Sequence, residues 1–316
     1  MDMIKDFIDG HTINAQLLIT TVDKCVTTQG RNYLNINLQD SSGTIFGKKW
    51  EIEGDDLEIF VPGNIVYIKG EVLDYRGSLQ VKIIDGERIP VSEVDVTKFV
   101  PKAPVPKEEL ERQFKAYIDS LPEGDLKRIV VYLTDKYYDR YVIHPAAVRN
   151  HHNFASGLLY HSICMANTAE QICKLYPHLN RDWLIAGTLI HDLGKVMELS
   201  GPIATKYTVE GNLVGHISIM SGEIRMAASE LGIEGETPIL LQHMLLSHHG
   251  KPEYGSAIPP LTREALALSM IDDFDAKMNI IDKAVENATI GGFTEKIFAL
   301  DARAYYVPSY EEKNRK

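Results

Sequence analysis

The chain has 316 residues, 44 acidic against 33 basic side chains for a formal net charge of -11, and 44% hydrophobic residues. That length suits two domains with ample core, and the acidic balance argues against coating nucleic acid by bulk electrostatics, so any nucleic-acid surface must be local. No run approaches the roughly 18 apolar residues of a membrane span, MDMIKDFIDG has no basic segment followed by an apolar one, and the three scattered cysteines, Cys25, Cys164 and Cys173, suit neither a disulfide framework nor a thiolate metal site; a cytoplasmic protein without membrane contact is expected.

Residues 14–90 read as five strands, AQLLITTV, RNYLNINL, GTIFGKKW, NIVYIKGEVL and SLQVKII, with turn signals TTQG, DSSG and DYRG among them. Alternation is clearest in the second, where Leu34, Ile36 and Leu38 point one way and Tyr33, Asn35 and Asn37 the other. Five short strands with a longer third-to-fourth connection fit a small Greek-key barrel of the OB type. Such a barrel binds single strands by stacking bases on aromatics and tracking phosphates with basic side chains. Tyr33, Phe46 and Lys48 fall on the face opposite the aliphatic one, with Arg31, Tyr75, Arg76 and Lys82 as possible neighbours; Phe46, Trp50 and Tyr67 equally suit a barrel interior.

Pro101, Pro104 and Pro106 in VPKAPVPKEEL favour an extended linker. The organisation expected is an OB-fold nucleic-acid-binding domain over 1–93, a Pro-rich linker over 94–110 and an all-helical domain over 111–316, a multidomain β + α chain. Helical periodicity takes over in LLYHSICMANTAEQICKLY, in NRDWLIAGTLIHDLGKVMEL read as one helix with Asn180 as N-cap, and in ETPILLQHMLLSHHG and REALALSMIDDFDAKMNIIDKAVENA.

Ten of the eleven histidines lie between residues 144 and 249. His161, His191-Asp192, His216, His248-His249 and Asp272 collect on four or more helices, and imidazole with carboxylate suits zinc, iron, manganese or nickel. A lone histidine is more often a satisfied core residue. A set of this size is hard to explain that way, and an ionised aspartate amid the apolar neighbours of GTLIHDLGKV either has a positive partner or is exposed by accident. Lys195, four residues after His191, could neutralise a phosphate oxygen or be a surface lysine. His178 suits a loop, His243 a packing or capping place, and His144 a turn.

HDLGK and DDFDAK, with His161, resemble the HD-domain metal-dependent phosphohydrolase superfamily in its two-metal variant. HHNFASGLLYHSICMA, LSGPIATKYTVEGNLVGHISIM and GGFTEKIFALDARAYYVP, with the OB-like leader, resemble the YhaM family of 3'-to-5' exoribonucleases over nearly the whole chain. The resemblance implies that His161, His191, Asp192 and Asp272 hold one ion and Asp192, His216 and His248 a second, with Asp273 the neighbouring alternative to Asp272. Two divalent ions, manganese first with iron, cobalt or zinc as alternatives, would activate a water and clamp the phosphate. Asp192, Lys195 and His249 are the catalytic candidates, His249 as proton donor or orienting group ahead of ligand, and His152 would face the substrate. Single-stranded RNA is the implied partner, with DNA and a second copy of the chain secondary. A small-nucleotide phosphodiesterase, a DNA- or RNA-binding factor without catalysis, and a paired-iron oxygenase stay open as alternatives.

Overall fold

The computed structural model describes residues 2–27, 29–101, 103–148, 152, 154–203 and 205–314, the side chains of 92, 313 and 314 apart, so His151 lies outside the described residues. The chain divides into two compact units, Met1–Lys102 with Ser200–Lys206, and Ala103–Leu199 with Tyr207–Lys316.

The first unit is a five-stranded closed barrel of β1 (Thr12–Val26), β2 (Asn32–Asp40), β3 (Gly43–Trp50), β4 (Ile65–Tyr75) and β5 (Ser78–Ile89), in the order β1-β2-β3-β5-β4. The β3–β5 pair is parallel and the others antiparallel. A short helix, α1 (Asp56–Ile59), interrupts the long connection from β3 to β4. The first strand outruns its predicted stretch because it pairs twice, with β4 over 12–18 and with β2 over 18–26, and a register shift between Ile19 and Thr21 bends it from one partner to the other. That bend lets five strands close without a free edge. Leu34, Ile36 and Leu38 are sealed in the core with Leu17, Ile68 and Val81, as the alternation in β2 predicts.

The second unit is helical: α2 (Lys107–Asp119), α3 (Asp125–Tyr141), α4 (Gly157–Leu175), α5 (Arg181–Ile190), α6 (Lys195–Glu198), α7 (Val209–Leu213), α8 (His216–Glu230), α9 (Glu236–Ser247), α10 (Arg263–Glu286) and α11 (Glu311–Asn314). Leu158, Leu189, Ile190, Met220, Leu245 and Leu268 meet in one core. The Asn180 side chain caps α5 by accepting from the backbone of Asp182 and Trp183.

The single helix expected over 180–199 is in fact two. After Ile190 the ladder tightens to three-residue spacing: Leu193 N donates to Ile190 O at 3.1 Å, Lys195 N to Asp192 O at 2.9 Å and Val196 N to Leu193 O at 3.2 Å. Neighbours on a regular helix point about 100° apart; the turn instead directs both His191 and Asp192 inward, where each is buried. Gly194 permits it, since a β-carbon there would stand 2.4 Å from the carbonyl oxygen of His216. Among the described residues no helix is long and apolar enough to cross a membrane.

Candidate active site

Five structural segments of the helical unit converge on one buried cluster. His161 comes from the inner face of α4, His191 and Asp192 from the turn after α5, His216 from the first residue of α8, His248 and His249 from the end of α9, and Asp272 from the middle of α10. His161, His191 and His248 are fully buried and Asp192 is 2% exposed. The structure thus brings together all six residues expected to hold metal.

The ring orientations are the most informative feature. His161 Nδ1 lies 2.6 Å from Asp275 Oδ2, His191 Nδ1 3.1 Å from Thr188 O, His216 Nδ1 2.9 Å from Glu198 Oε1, His248 Nδ1 2.7 Å from Leu245 O and His249 Nδ1 2.7 Å from Tyr254 O. Carbonyl and carboxylate oxygens only accept, so each Nδ1 carries the hydrogen and donates it. For the four buried rings that leaves Nε2 directed toward Asp192: its distances are 3.7 Å from His161 and 3.3 Å from His191 to Oδ2, and 3.4 Å from His216 and 3.7 Å from His248 to Oδ1. Asp272 Oδ1 joins the first side, 3.2 Å from His161 Nε2 and 4.0 Å from His191 Nε2.

Such an arrangement is costly without positive charge. Asp192 Oδ1, His216 Nε2 and His248 Nε2 are buried and make no hydrogen bond among the described residues, while the His161 and His191 Nε2 atoms face each other at 3.2 Å. Convergent imidazole nitrogens and carboxylate oxygens, with the far side of each ring held by an acceptor, fit divalent cations. The ligand atoms of Asp192, His216, His248 and His249 all lie within 4.8 Å of one another, as do those of His161, His191 and Asp192.

The charges answer to this geometry. Burial alone would lower the His161 imidazole, but the hydrogen bonds and charges of Asp272 and Asp275 outweigh it and raise it to about 9. Burial works against ionisation of Asp192, yet Lys195 and His191 hold its carboxyl well below the usual range. Lys195 Nζ stands 2.7 Å from Asp192 Oδ2, and that partner keeps the buried ammonium charged against the effect of burial. Burial and the neighbouring His249 push His248 well below an ordinary histidine. The cluster opens into a cavity of about 430 Å³ lined by Lys195, His216, His248, His249, Asp272 and Tyr254.

Two carboxylates escaped the sequence reading. Asp275 lies one turn beyond Asp272 on α10 and bonds both His161 Nδ1 and, at 2.7 Å, His152 Nε2. Glu198, at the end of α6, holds the Nδ1 and backbone nitrogen of His216. Their spacing to the expected site residues is a signal that marks position but not the role of holding a ring nitrogen. His152, expected toward the substrate, is 2% exposed and packs behind His161 with a backbone φ of 49°. Asp273, the alternative to Asp272, pairs outward with Lys277 at 2.6 Å.

On the barrel, the register Tyr33↔Trp50, Asn35↔Lys48 and Asn37↔Phe46 places the expected Tyr33, Phe46 and Lys48 on one outer face. Trp50 belongs to that face and not to the core: its ring stacks on Tyr33 at 4.6 Å. Lys48 Nζ stands 5.5 to 6.0 Å from the ring centroids of Tyr33, Trp50 and Tyr75, and Phe46 is 59% exposed.

The HD domain family model matches residues 158–277. The curated 3'-5' exoribonuclease YhaM of Geobacillus sp. (strain WCH70) is 44% identical over 307 residues, covering 95% of this chain and 93% of that protein. Two solved structures from Methanococcus maripaludis share part of the chain at low similarity. A crystal structure of a domain of replication protein A is 18% identical over 28% of this chain and 93% of its own, with a TM-score of 0.23, and a solution structure of the second OB-fold domain of replication protein A is 19% identical with the same coverages and a TM-score of 0.20.

Proposed function

This chain belongs to the YhaM family of 3'-5' exoribonucleases, and on that premise we propose that it releases nucleoside 5'-monophosphates from single-stranded RNA with the help of two divalent cations in the helical unit. The HD domain implies divalent-metal dependence; that the number is two is our reading, and the observation that carries it is the division of Asp192, whose Oδ2 serves His161 and His191 while Oδ1 serves His216 and His248. One cation would take His161, His191, Asp192 and Asp272, the other Asp192, His216 and His248 with His249 as a further donor. Manganese is our first assignment, on the family resemblance, and the donor set also accepts iron, cobalt or zinc. Cations bound there would supply Lewis-acid polarisation of the scissile phosphate and a water acidic enough to attack near neutral pH.

The chain's own residues do the rest. Asp275 and Glu198 keep a proton on Nδ1 of His161 and His216, so that each Nε2 faces the centre and can give its lone pair to a cation that displaces any proton there. Lys195 holds its charge at the cavity wall against Asp192, where it stabilises negative charge gathering on phosphate oxygens. His249 is held by the Tyr254 carbonyl in the tautomer that leaves Nε2 free of hydrogen, which favours donation of its lone pair over protonation of the leaving 3'-oxygen. The outer barrel face of Tyr33, Lys48, Trp50 and Tyr75 suits stacked bases and a phosphate track. Stacking does not read the 2'-hydroxyl, so single-stranded DNA is a secondary ligand of that face.

Digestion of a 5'-labelled RNA by the purified protein with added manganese, iron, cobalt, zinc or magnesium tests this reading. A descending ladder that leaves a circle of the same sequence intact is expected. Cleavage of the circle at a comparable rate would replace exonucleolytic with endonucleolytic attack.

A further inference from the structure

Two tyrosines line the cavity, Tyr207 and Tyr254, and neither side chain has a part in the chemistry above; Tyr254 is the one whose backbone bonds a histidine of the cluster. Tyr254 ends the single 3-10 turn Pro252–Tyr254, is 63% exposed, and lines the same cavity as His216, His248 and Asp272. Its place relative to the cluster is set through the backbone. The Tyr254 carbonyl accepts from His249 Nδ1 at 2.7 Å, Tyr254 N donates to Lys251 O at 3.0 Å, and Gly255 leaves the turn at φ 100°, a left-handed conformation that favours glycine. Lys251 Nζ stands 5.8 Å from the ring centroid. A large ring kept this exposed, on a residue whose backbone carbonyl holds a histidine of the centre, is poorly explained by packing.

The group that must lie next to the scissile phosphate of a strand end is the terminal nucleoside. Every base presents a π-face, so an aromatic ring can seat it without reading its identity, at a gain of roughly 1 to 3 kcal/mol in known single-strand binders. We propose that Tyr254 is the stacking platform for the base of the 3'-terminal nucleotide, with Lys251 beside it for the strand's phosphates. The platform is a binding residue, not a proton carrier, and it makes the enzyme selective for a complete nucleoside at the end while indifferent to which base it bears. This inference rests on the exoribonuclease reading.

The test compares two RNA oligomers that differ only in their 3'-terminal unit, one a normal nucleotide and one a ribose lacking its base, with the full-length manganese-loaded protein and its Tyr254→Leu and Tyr254→Phe variants. Wild type should favour the normal end by roughly 5- to 150-fold in kcat/KM. Tyr254→Phe should keep that preference, while Tyr254→Leu should slow the normal RNA by the same factor, leave the abasic one unchanged and bind as much manganese as wild type. Equal slowing of both RNAs in Tyr254→Leu would reduce the residue to a support for His249 and overturn the platform. Equal degradation of both by wild type would overturn it without any variant, and leave the exoribonuclease reading standing. Degradation of neither by wild type would overturn that reading and the platform with it.

Discussion

Asp275 Oδ2 accepts the hydrogen bond of His161 Nδ1, 2.6 Å away, from the same face of α10 that supplies Asp272 one turn earlier. One helix thereby delivers a donor to the centre and the group that aims a second donor at it. Asp275→Asn keeps the shape but removes the charge that favours this tautomer. It should weaken manganese binding by about 10- to 100-fold while the fold persists, as titration calorimetry on chelator-stripped protein would measure. Unchanged affinity would make Asp275 a packing residue.

Metal uptake should depend on pH through the same pair. Asp272 and Asp275 overcome burial and raise His161 to about 9 in the metal-free protein, so near neutrality its Nε2 carries a proton that a cation must displace. Apparent affinity should therefore climb as pH rises from 6 toward 9 and level off above, with proton release on binding at pH 7.5. In Asp275→Asn the climb should move to lower pH, because one of the charges that raise His161 is gone. A flat profile in wild type, followed by the buffer dependence of the binding heat, would contradict this.

Gly194 tests the turn that aims His191 and Asp192. A β-carbon 2.4 Å from the His216 carbonyl cannot be accommodated without moving the start of α8. Gly194→Ala should cost about 1 to 3 kcal/mol of stability and lower activity beyond what that loss explains, since His216 must shift. Thermal unfolding beside turnover at a permissive temperature separates the two effects, and a variant of normal Tm and turnover would show that the contact yields freely.

Trp50→Ala should weaken binding of a long single strand by roughly 1 to 3 kcal/mol, because it removes the ring stacked on Tyr33 and part of the surface beneath Lys48. Hydrolysis of short oligomers should be nearly unaffected. Filter binding with long RNA and turnover with short RNA distinguish this from a general loss of fold, and unaltered long-strand affinity would remove the barrel face from RNA recognition.

Much of this was legible in the sequence for identifiable reasons. Strand alternation has period two, so one aliphatic face in β2 announced the barrel wall, and the buried cluster announced itself because histidine and aspartate are rare among buried apolar neighbours. Trp50 could not be assigned, since an aromatic suits a core or a stacking face equally and only the pairing with Tyr33 decides. The break after Ile190 was hidden because the close approach that goes with it, the His216 carbonyl against Gly194, brings together residues distant in sequence. Asp275 and Glu198 were hidden differently. A carboxylate that orients a ring acts through Nδ1, and which nitrogen faces inward is known only once the rings are placed.

Whether Asp192 divides a pair of cations is read from the rate of ladder formation from 5'-labelled RNA against the equivalents of manganese bound to chelator-stripped protein. Little cleavage is expected at one bound equivalent and full activity only as the second binds. Full activity at one equivalent, or in protein that retains no metal, would contradict it.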